Sequence, residues 1–454
     1  MSDTRHGIDL TEGRVSGILL RFAFPFMLAN LVTAVNSAVG MLIVGRFTNQ
    51  ETIAGVATGL QLMNPVLAFM SGIGTGITVL IGKRIGEKDD AAGRKAVGSS
   101  FIASLAVMIL VTVFTWVLRE PLLDLLGTQP EARPSASRYV AICTIGVPLS
   151  LGYAMISAIF RGLGNSRIPS LVAGVSCVIN FTLSFLLVGA FGMDEDGVAY
   201  ALVAAQASSF ILIALLLYKK KFPFPFAIRD NKPDMVAIKH IAVVGIPMVL
   251  QDLTLTAAFM IITNRVNSIS VVASAAVGVV TRAANIVLVL PAGIGSAVAA
   301  MTAQNLGAAK HDRAIQSLRW GIQYALMITV CLFLFCMIKP MLVMSLFTTD
   351  SAVIEAASYY LRGYALEMVM VSFIFCLNSY LSGCGKSNVT MIHTIVSVLC
   401  IRAPLSVLFA QLQGITLGVK LVYLGISGSI ASIFSIIVCF VYIFWQQRKL
   451  RRLA

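Results

Sequence analysis

Charged side chains are scarce in this sequence. They make up 12% of its 454 residues, against about a quarter in soluble domains, and hydrophobic residues make up 58%. So few charges cannot cover a water-facing surface of this size, which indicates that lipid surrounds the chain. Alternating ten-residue strand patterns are also missing, whereas apolar runs of 20 or more residues recur. Each run can cross a ~30 Å hydrocarbon core as a helix, which predicts an all-α integral membrane protein.

Signatures of catalysis and of metal binding are missing as well. The sequence has no HExxH or GxSxG motif, and its eight cysteines include no CxxC pair and no histidine at metal-ligand spacing. We therefore expect no enzymatic activity, no metal and no resident cofactor. The polar start, MSDTRHGIDLTEGR, precedes an apolar run that is too long for a signal peptide, so no cleaved leader is expected.

Basic residues outnumber acidic residues by 34 to 20, and their placement orients the chain. With a cytoplasmic N-terminus, the cytoplasmic segments hold 24 Lys and Arg residues and the opposite side holds 8. This bias predicts a multi-pass protein of the cell (inner) membrane with both termini cytoplasmic, and it explains the net charge of +14 without nucleic-acid binding. The twelve predicted spans are 16–44, 53–82, 95–118, 137–160, 168–191, 197–218, 239–264, 272–304, 317–338, 358–381, 389–411 and 422–445.

The stretch SGCGKS from Ser382 ends like a phosphate-binding loop. The first glycine of such a loop would fall on Tyr380, and an apolar helix rather than a strand precedes it. The stretch instead repeats RGLGNS, which begins 221 residues earlier at Arg161, and the same offset pairs Gly72-Ile-Gly74 with Gly293-Ile-Gly295. We therefore predict a tight cytoplasmic turn in each half of the chain and no nucleotide binding.

Six spans in each half give the two halves the same direction in the membrane. Their pseudo-twofold axis then lies along the membrane normal, as in secondary transporters built from parallel repeats, which bind substrate between two lobes. Arg161 and Lys386 are interpreted as ordinary basic residues of the two turns. The predicted division is a cytoplasmic segment at 1–15, an N-lobe at 16–218, a linker at 219–238, a C-lobe at 239–445 and a basic tail at 446–454.

A series of motifs runs in order along almost the whole chain: DLTEG, IVGRF, RGLGNSRIP, GIPMVLQ, AQNLGAAKHDRA, SGCGKSN and IRAP. Together they resemble the prokaryotic branch of the multidrug and toxic compound extrusion (MATE) family. The resemblance implies two six-helix lobes that form a V. It also implies export of drugs or metabolites in exchange for H⁺ or Na⁺.

The N-lobe departs from that family at two acidic positions. Many members carry an aspartate in the first span and a second one in the fifth span. Here these positions hold Gly40 and Ser184, and only Asn180 matches the family's N-lobe cation site.

Four charged residues fall inside predicted spans, and all four belong to the second lobe: Asp252, Arg282, Glu367 and Arg402. Counting residues from the outer span ends places them roughly 13–18 Å deep at about 1.5 Å per residue. Charges at this depth usually face a bundle interior or a water-filled cavity. Asp252 and Glu367 are therefore the predicted cation-coupling residues, with Arg282 and Arg402 as their charge partners.

The order of the spans suggests which charges pair. Consecutive spans would place Asp252 nearest Arg282 and Glu367 nearest Arg402, although the swapped pairing stays open. Static ion pairs that lock the C-lobe are the alternative to a coupling role. Burial favours a neutral carboxyl group whereas a nearby guanidinium favours the charged form, so exchange between these states could couple a proton to lobe motion.

Five uncharged polar residues in the spans are candidates for lining the substrate cavity, and two prolines are candidates for hinges. Single polar residues in spans more often join helices by hydrogen bonds. The better cavity-lining candidates are Asn36, Gln61, Asn180, Gln251 and Asn285. Pro25 and Pro247 occupy equivalent places in the two lobes and are the hinge candidates, with a fixed bend as the alternative.

We therefore predict a monomeric secondary antiporter that exports amphipathic, cationic compounds and contacts membrane lipid, but no nucleotide or nucleic acid. A flippase for lipid-linked precursors, from the same broad superfamily, is one alternative, because arginines in a cavity would suit an anionic substrate. A receptor or scaffold without transport activity is another. The longest predicted internal connection is only about twenty residues, which argues against it.

Overall fold

The computed structural model describes residues 8–219 and 233–453, except for the side chains of 35–39, 41, 42 and 450–453. Most of the predicted linker at 219–238 lies outside these ranges. Helices account for nearly all of the described chain. Their bounds are α1 Val15–Phe47, α2 Gln50–Glu87, α3 Asp90–Leu125, α4 Arg133–Gly162, α5 Arg167–Ser184, α6 Asp194–Lys219, α7 Met235–Asn267, α8 Val271–Gly307, α9 His311–Ile338, α10 Pro340–Ser345, α11 Ser351–Gly383, α12 Ser387–Ile395, α13 Ala403–Gln411 and α14 Leu417–Leu453.

Among the described residues, one span of each lobe contains a π-helical segment. Phe185–Ala190 continues α5, and Val396–Arg402 joins α12 to α13. With these segments included, the described residues contain twelve helical stretches long and apolar enough to cross a membrane. The predicted all-α class with twelve spans is confirmed. We call the face at which α1 begins and α14 ends the inner face.

The two turns predicted from the repeat have matching backbones. Gly164 and Gly385 both adopt left-handed conformations, with φ of 77° and 71°. In each turn the N–H that follows the glycine reaches back five residues: Asn165 donates to Phe160 O, and Lys386 donates to Leu381 O, both at 2.8 Å. This is the glycine-dependent ending of a helix, so SGCGKS is a helix C-terminus and not a phosphate loop.

The lobes join through helices that cross from one lobe to the other. The inner half of α1 packs on α8 and α9 of the C-lobe, and α7 packs on α2 and α3 of the N-lobe. The outer part of α1 packs on α5 of its own lobe. Each lobe therefore braces the other through the first helix of its repeat.

Glycines allow the inner halves of the lobes to approach at backbone distance. A Cβ atom on Gly72 would lie 2.6 Å from Gly245 O, and one on Gly76 would lie 2.6 Å from Ile241 O. Nearer the inner face, a Cβ on Gly86 would overlap Gln304 O. These contacts close the protein toward the inner face.

The motif AQNLGAAKHDRA adds polar bonds across the same closure. Gln304 donates from Nε2 to Gly162 O at 2.8 Å, and its Oε1 accepts from the Leu10 N–H at 3.4 Å. The next residue, Asn305, donates to Leu10 O at 3.1 Å. One amide side chain thus ties the end of α8 to the N-lobe turn and to the segment before α1.

The basic residues of this motif hold the same segment from the other side. Lys310 Nζ donates to Thr11 O at 2.9 Å, and Arg313 Nη1 donates to Gly13 O at 2.8 Å. Their charges therefore serve a structural purpose that loop-charge counting does not reveal.

Gly86→Ala is expected to destabilise the inner closure, because the methyl group overlaps Gln304 O and overpacking costs about 1–3 kcal/mol. The matched control is Gly174→Ala, since a Cβ on Gly174 meets no atom within 4 Å. Thermal unfolding of the purified protein in detergent should show a lower Tm for Gly86→Ala only. Equal melting of the two variants would contradict this account of the closure.

Candidate functional site

A cavity of about 580 Å³ lies between the lobes and extends into the C-lobe. Helices α2 and α4 of the N-lobe form one side, and α7, α8, α11, α14 and the α12–α13 span form the rest. The charged residues of its wall are Arg161, Asp252, Glu367 and Arg402. Two acids and two arginines cancel formally, so the arrangement of these charges matters more than their sum.

Glu367 and Arg402 form a buried ion pair in the cavity wall, as the order of their spans predicted. Arg402 Nη1 lies 2.7 Å from Glu367 Oε1, and Nη2 lies 3.3 Å from Oε2. Glu367 is 2% exposed and Arg402 9%. Two parallel hydrogen bonds suit a guanidinium facing a carboxylate, and they offset the cost of burying both charges.

The surroundings fix the geometry of this pair. Arg402 ends the π-helical segment, and Pro404, two residues later, has no N–H to donate to the preceding turn. The Phe259 ring lies 4.8 Å from the guanidinium carbon, within cation–π range. Gly428 faces the carboxylate so closely that a Cβ there would overlap Glu367 Oε2.

Asp252 lines the same cavity without a charge partner. Among the described residues, no ion pair and no hydrogen bond involves its carboxylate. The predicted pairing of Asp252 with Arg282 is therefore wrong. Span order is a poor guide to neighbours here, because α7 packs chiefly on α2 and the α12–α13 span and only sparsely on α8, and α11 packs just as sparsely on α12.

Arg282 lines a second cavity of about 310 Å³ on the outer side of the C-lobe. Thr263, Asn267 and Ser274 give this cavity a partly polar wall. Arg402 lines both cavities, and its guanidinium therefore lies between them. Arg282 and Arg402 share the outer cavity, whereas Asp252 and Glu367 share the large cavity with Arg161 and Arg402.

The interpretation of Arg161 as an ordinary basic turn residue is wrong. Its side chain lines the large cavity together with Thr78, and its Nε donates to Thr78 Oγ1 at 3.4 Å. No acid in the described chain pairs with it. The repeat contained a signal for this, since Ser382 stands at the equivalent position and the turn itself does not need an arginine.

The polar residues predicted to line the cavity divide into three groups. Gln251 and Asn285 line it. Gln61 has an exposed side chain away from it, and Asn180 Oδ1 accepts a hydrogen bond from Ser184 at 3.4 Å within α5. The side chain of Asn36 lies outside those described. Asn180 therefore bonds to the residue that stands at the family's second acidic position.

The hinge candidates lie inside the two helices that cross between the lobes. Pro25 is inside the part of α1 that packs on the C-lobe, since contacts with α8 continue to Met27 and Asn30, and contact with α5 is present at Val32. Pro247 is buried inside α7, between Gly245 and Val249, both of which meet Gly72. A bend at Pro25 would therefore move one half of α1 relative to the other lobe.

The sequence model of the MatE family matches residues 25–186 and 247–408. The chain belongs to the MATE family. Its two matched ranges lie 222 residues apart, so the predicted repeat is also a repeat of the MATE family domain. Members of the MATE family are transporters, which accords with the expectation that this protein is not an enzyme.

Individual relatives share the whole architecture of this MATE transporter. The probable multidrug resistance protein YoeA of Bacillus subtilis is 26% identical over 442 residues, covering 95% of this chain and 94% of that protein. The FAD transporter of Shewanella oneidensis is 22% identical over 424 residues, covering 90% and 91%. A transporter of the MOP superfamily from Pyrococcus furiosus, described as having a binding pocket of reverse polarity, matches with a TM-score of 0.90 at 22% identity, covering 100% and 99%.

Arg402→Met should destabilise the protein strongly, because it leaves Glu367 buried without its partner, a loss of about 3–5 kcal/mol. Adding Glu367→Gln to this variant should restore most of the stability by removing the unpaired charge. Thermal unfolding of both variants in detergent measures the difference. Asp252→Asn is the control and should melt like the unsubstituted protein, and a double variant no more stable than Arg402→Met would refute this view of the pair.

Proposed function

We propose that this chain is a secondary active antiporter of the cell (inner) membrane, with both termini cytoplasmic, that acts as a monomer. It exports amphipathic, cationic compounds in exchange for H⁺ or Na⁺ by alternating access. The observation that carries the proposal is the unpartnered carboxylate of Asp252 in a cavity between the lobes. The MATE relatives named as multidrug resistance proteins support it.

A free carboxylate in a cavity offers a simple basis for exchange. It can hold a proton, a sodium ion or the ammonium group of a substrate, and these occupants compete for one charge. Gln251 and Asn285 line the same cavity and supply amide groups that can bond a polar substrate or a hydrated ion. Met248, Leu255 and other apolar side chains of the wall suit the rest of an amphipathic compound.

The Glu367–Arg402 pair supplies the second proposed coupling element. Arg402 also lines the outer cavity. A cation or proton bound at Glu367 would therefore release the Arg402 guanidinium toward the outer cavity. This exchange of partners would link cation binding in one cavity to the shape of the other. The alternative, a static pair that only stabilises the C-lobe, predicts that Glu367→Gln lowers the stability of the protein but leaves ion coupling in the folded fraction unchanged.

Arginines in the cavity walls favour a second candidate, the flippase of lipid-linked anionic precursors. Arg161, Arg282 and Arg402 all line cavities, and one relative is named an FAD transporter. The large cavity, however, carries two acids as well. We therefore prefer an amphipathic cation, with Arg161 available for an additional acidic group on the substrate.

The single variants Asp252→Asn and Glu367→Gln are each expected to abolish transport driven by an ion gradient, because each removes one proposed coupling carboxylate. The assay is uptake of a fluorescent lipophilic cation into proteoliposomes, with H⁺ and Na⁺ gradients imposed separately so that the coupling ion is also determined. Glu355→Gln, at an exposed acid on the same helix as Glu367, should transport normally. Full activity in both Asp252→Asn and Glu367→Gln would overturn the proposal.

Arg161→Gln should change selectivity for the acidic group of a substrate. We expect binding of an amphipathic amine that also carries a carboxylate to weaken about tenfold, the loss of one charge-assisted hydrogen bond. Binding of the corresponding methyl ester should stay the same. Lys386→Gln removes a cation from the equivalent turn without touching the cavity and serves as the control, and equal losses for acid and ester would exclude a direct contact with Arg161.

A further inference from the structure

A separate cavity of about 260 Å³ opens at the inner face, at the junction of the lobes. Its basic wall residues are Lys83 at the end of α2, His240 in α7 and His311 at the start of α9. No aspartate or glutamate among the described residues lines it. Tyr380 and Ile443 add an apolar side.

One acid, Glu87, acts electrostatically on His240, but Lys83 and Arg84 act on it as well, so this basic group is offset only in part. Glu87, one turn beyond Lys83, forms an ion pair with Arg84 at 2.7 Å. Asp312 follows His311 in the chain but does not line the cavity. The field inside the cavity is therefore positive and suits an anion.

The turn from SGCGKS forms part of the wall through Cys384 and Gly385. A Cβ on Gly385 would lie 3.9 Å from the imidazole Cε1 of His240. In the N-lobe, the backbone of Ile8 covers the equivalent glycine, Gly164, and donates to its carbonyl oxygen at 3.0 Å. The two copies of the turn thus differ in their surroundings. The N-lobe turn packs on the backbone of Ile8, whereas the C-lobe turn faces a basic cavity.

Two polar atoms of the wall residues lack a partner. His240 Nε2 and Gln446 Oε1 are buried and make no hydrogen bond to any described residue. Buried polar atoms are normally hydrogen-bonded, so an additional partner at this junction is expected. A partner with both donor and acceptor groups would satisfy an imidazole nitrogen and an amide oxygen together.

We propose that this cavity binds a phosphate group, either as a free phosphate-containing metabolite or as the headgroup of an anionic phospholipid. Lys83 and the two histidines would donate to its oxygens, and a hydroxyl group, either of a free phosphate or of a glycerol headgroup, can donate to Gln446. Lys83 belongs to the N-lobe, whereas His311 belongs to the C-lobe. A phosphate held by both therefore stabilises the conformation that is closed at the inner face.

The consequence for transport rests on the proposed alternating access, whereas binding itself does not. Gly307 lies against Lys83 O in the closed contact, so the lysine moves away from α8 when the inner side opens. A bound phosphate must then lose one of its partners. Because a ligand shifts an equilibrium toward the state that it binds more tightly, phosphate is expected to slow opening toward the inside.

The experiment follows binding through the Tm of the purified protein. In one arm inorganic phosphate is titrated at constant ionic strength, with chloride as the reference anion. In the other arm nanodiscs of phosphatidylglycerol are compared with nanodiscs of phosphatidylcholine. A rise in Tm with inorganic phosphate identifies a free-phosphate site, and a rise with phosphatidylglycerol alone identifies a headgroup site.

Variants locate the effect. Lys83→Gln and His311→Gln both change exposed positions. Each should raise the half-saturating phosphate concentration about tenfold, or remove the lipid-dependent rise in Tm. Lys239→Gln makes the same charge change beside His240 but outside the cavity wall, and it should respond like the unsubstituted protein. No rise in either arm, or equal losses in Lys83→Gln and Lys239→Gln, would overturn the proposal. Because no step requires transport, failure here leaves the antiporter proposal intact.

Discussion

A charge at membrane depth must reach either an opposite charge or water, and this constraint organises the functional part of the molecule. Glu367 and Arg402 satisfy it by a two-point ion pair that is almost fully buried. Asp252, Arg161 and Arg282 satisfy it by lining cavities. The positions of these charges therefore mark where polar space exists between helices that are otherwise apolar, and any ligand that enters must match the charges that have no partner.

Closure at the inner face depends on the opposite property, the absence of side chains. Glycines at 72, 76, 86 and 307 let backbones from the two lobes touch, and Gln304 and Asn305 then bond across the contact. Backbone contact of this kind leaves no room for a side chain, since one added methyl group prevents it. Opening toward the inner face must break these bonds together, which favours two distinct states over a continuum. The basic cavity beside Lys83 lies at the edge of the same contact.

The architecture could be predicted from the sequence because span length, loop charge and a repeat are all one-dimensional signals. Neighbours in space could not, and the charge pairing shows why. The order of the spans predicts the Glu367–Arg402 pair but fails for Asp252, and in both cases the consecutive helices pack only sparsely on each other. Arg161 was missed for a related reason, since loop-charge counting treats every basic residue near a span end alike. The cavity that it lines exists only when α2, α4 and the C-lobe meet.

Among the described residues, the two unpaired charges of the large cavity lie on different sides of the junction between the lobes. Arg161 Nη2 would lie 3.1 Å from a Cβ on Gly74, which places the guanidinium beside the part of α2 that meets α7 between Ile241 and Val249. Asp252 lies about two turns beyond Gly245 on α7, which is roughly 10 Å along the helix at about 1.5 Å per residue. Because one charge belongs to the N-lobe and the other to the first helix of the C-lobe, the proposed rocking of the lobes would change their separation. The affinity for a cation at Asp252 should then depend on conformation, as the exchange of a coupling ion for a substrate requires.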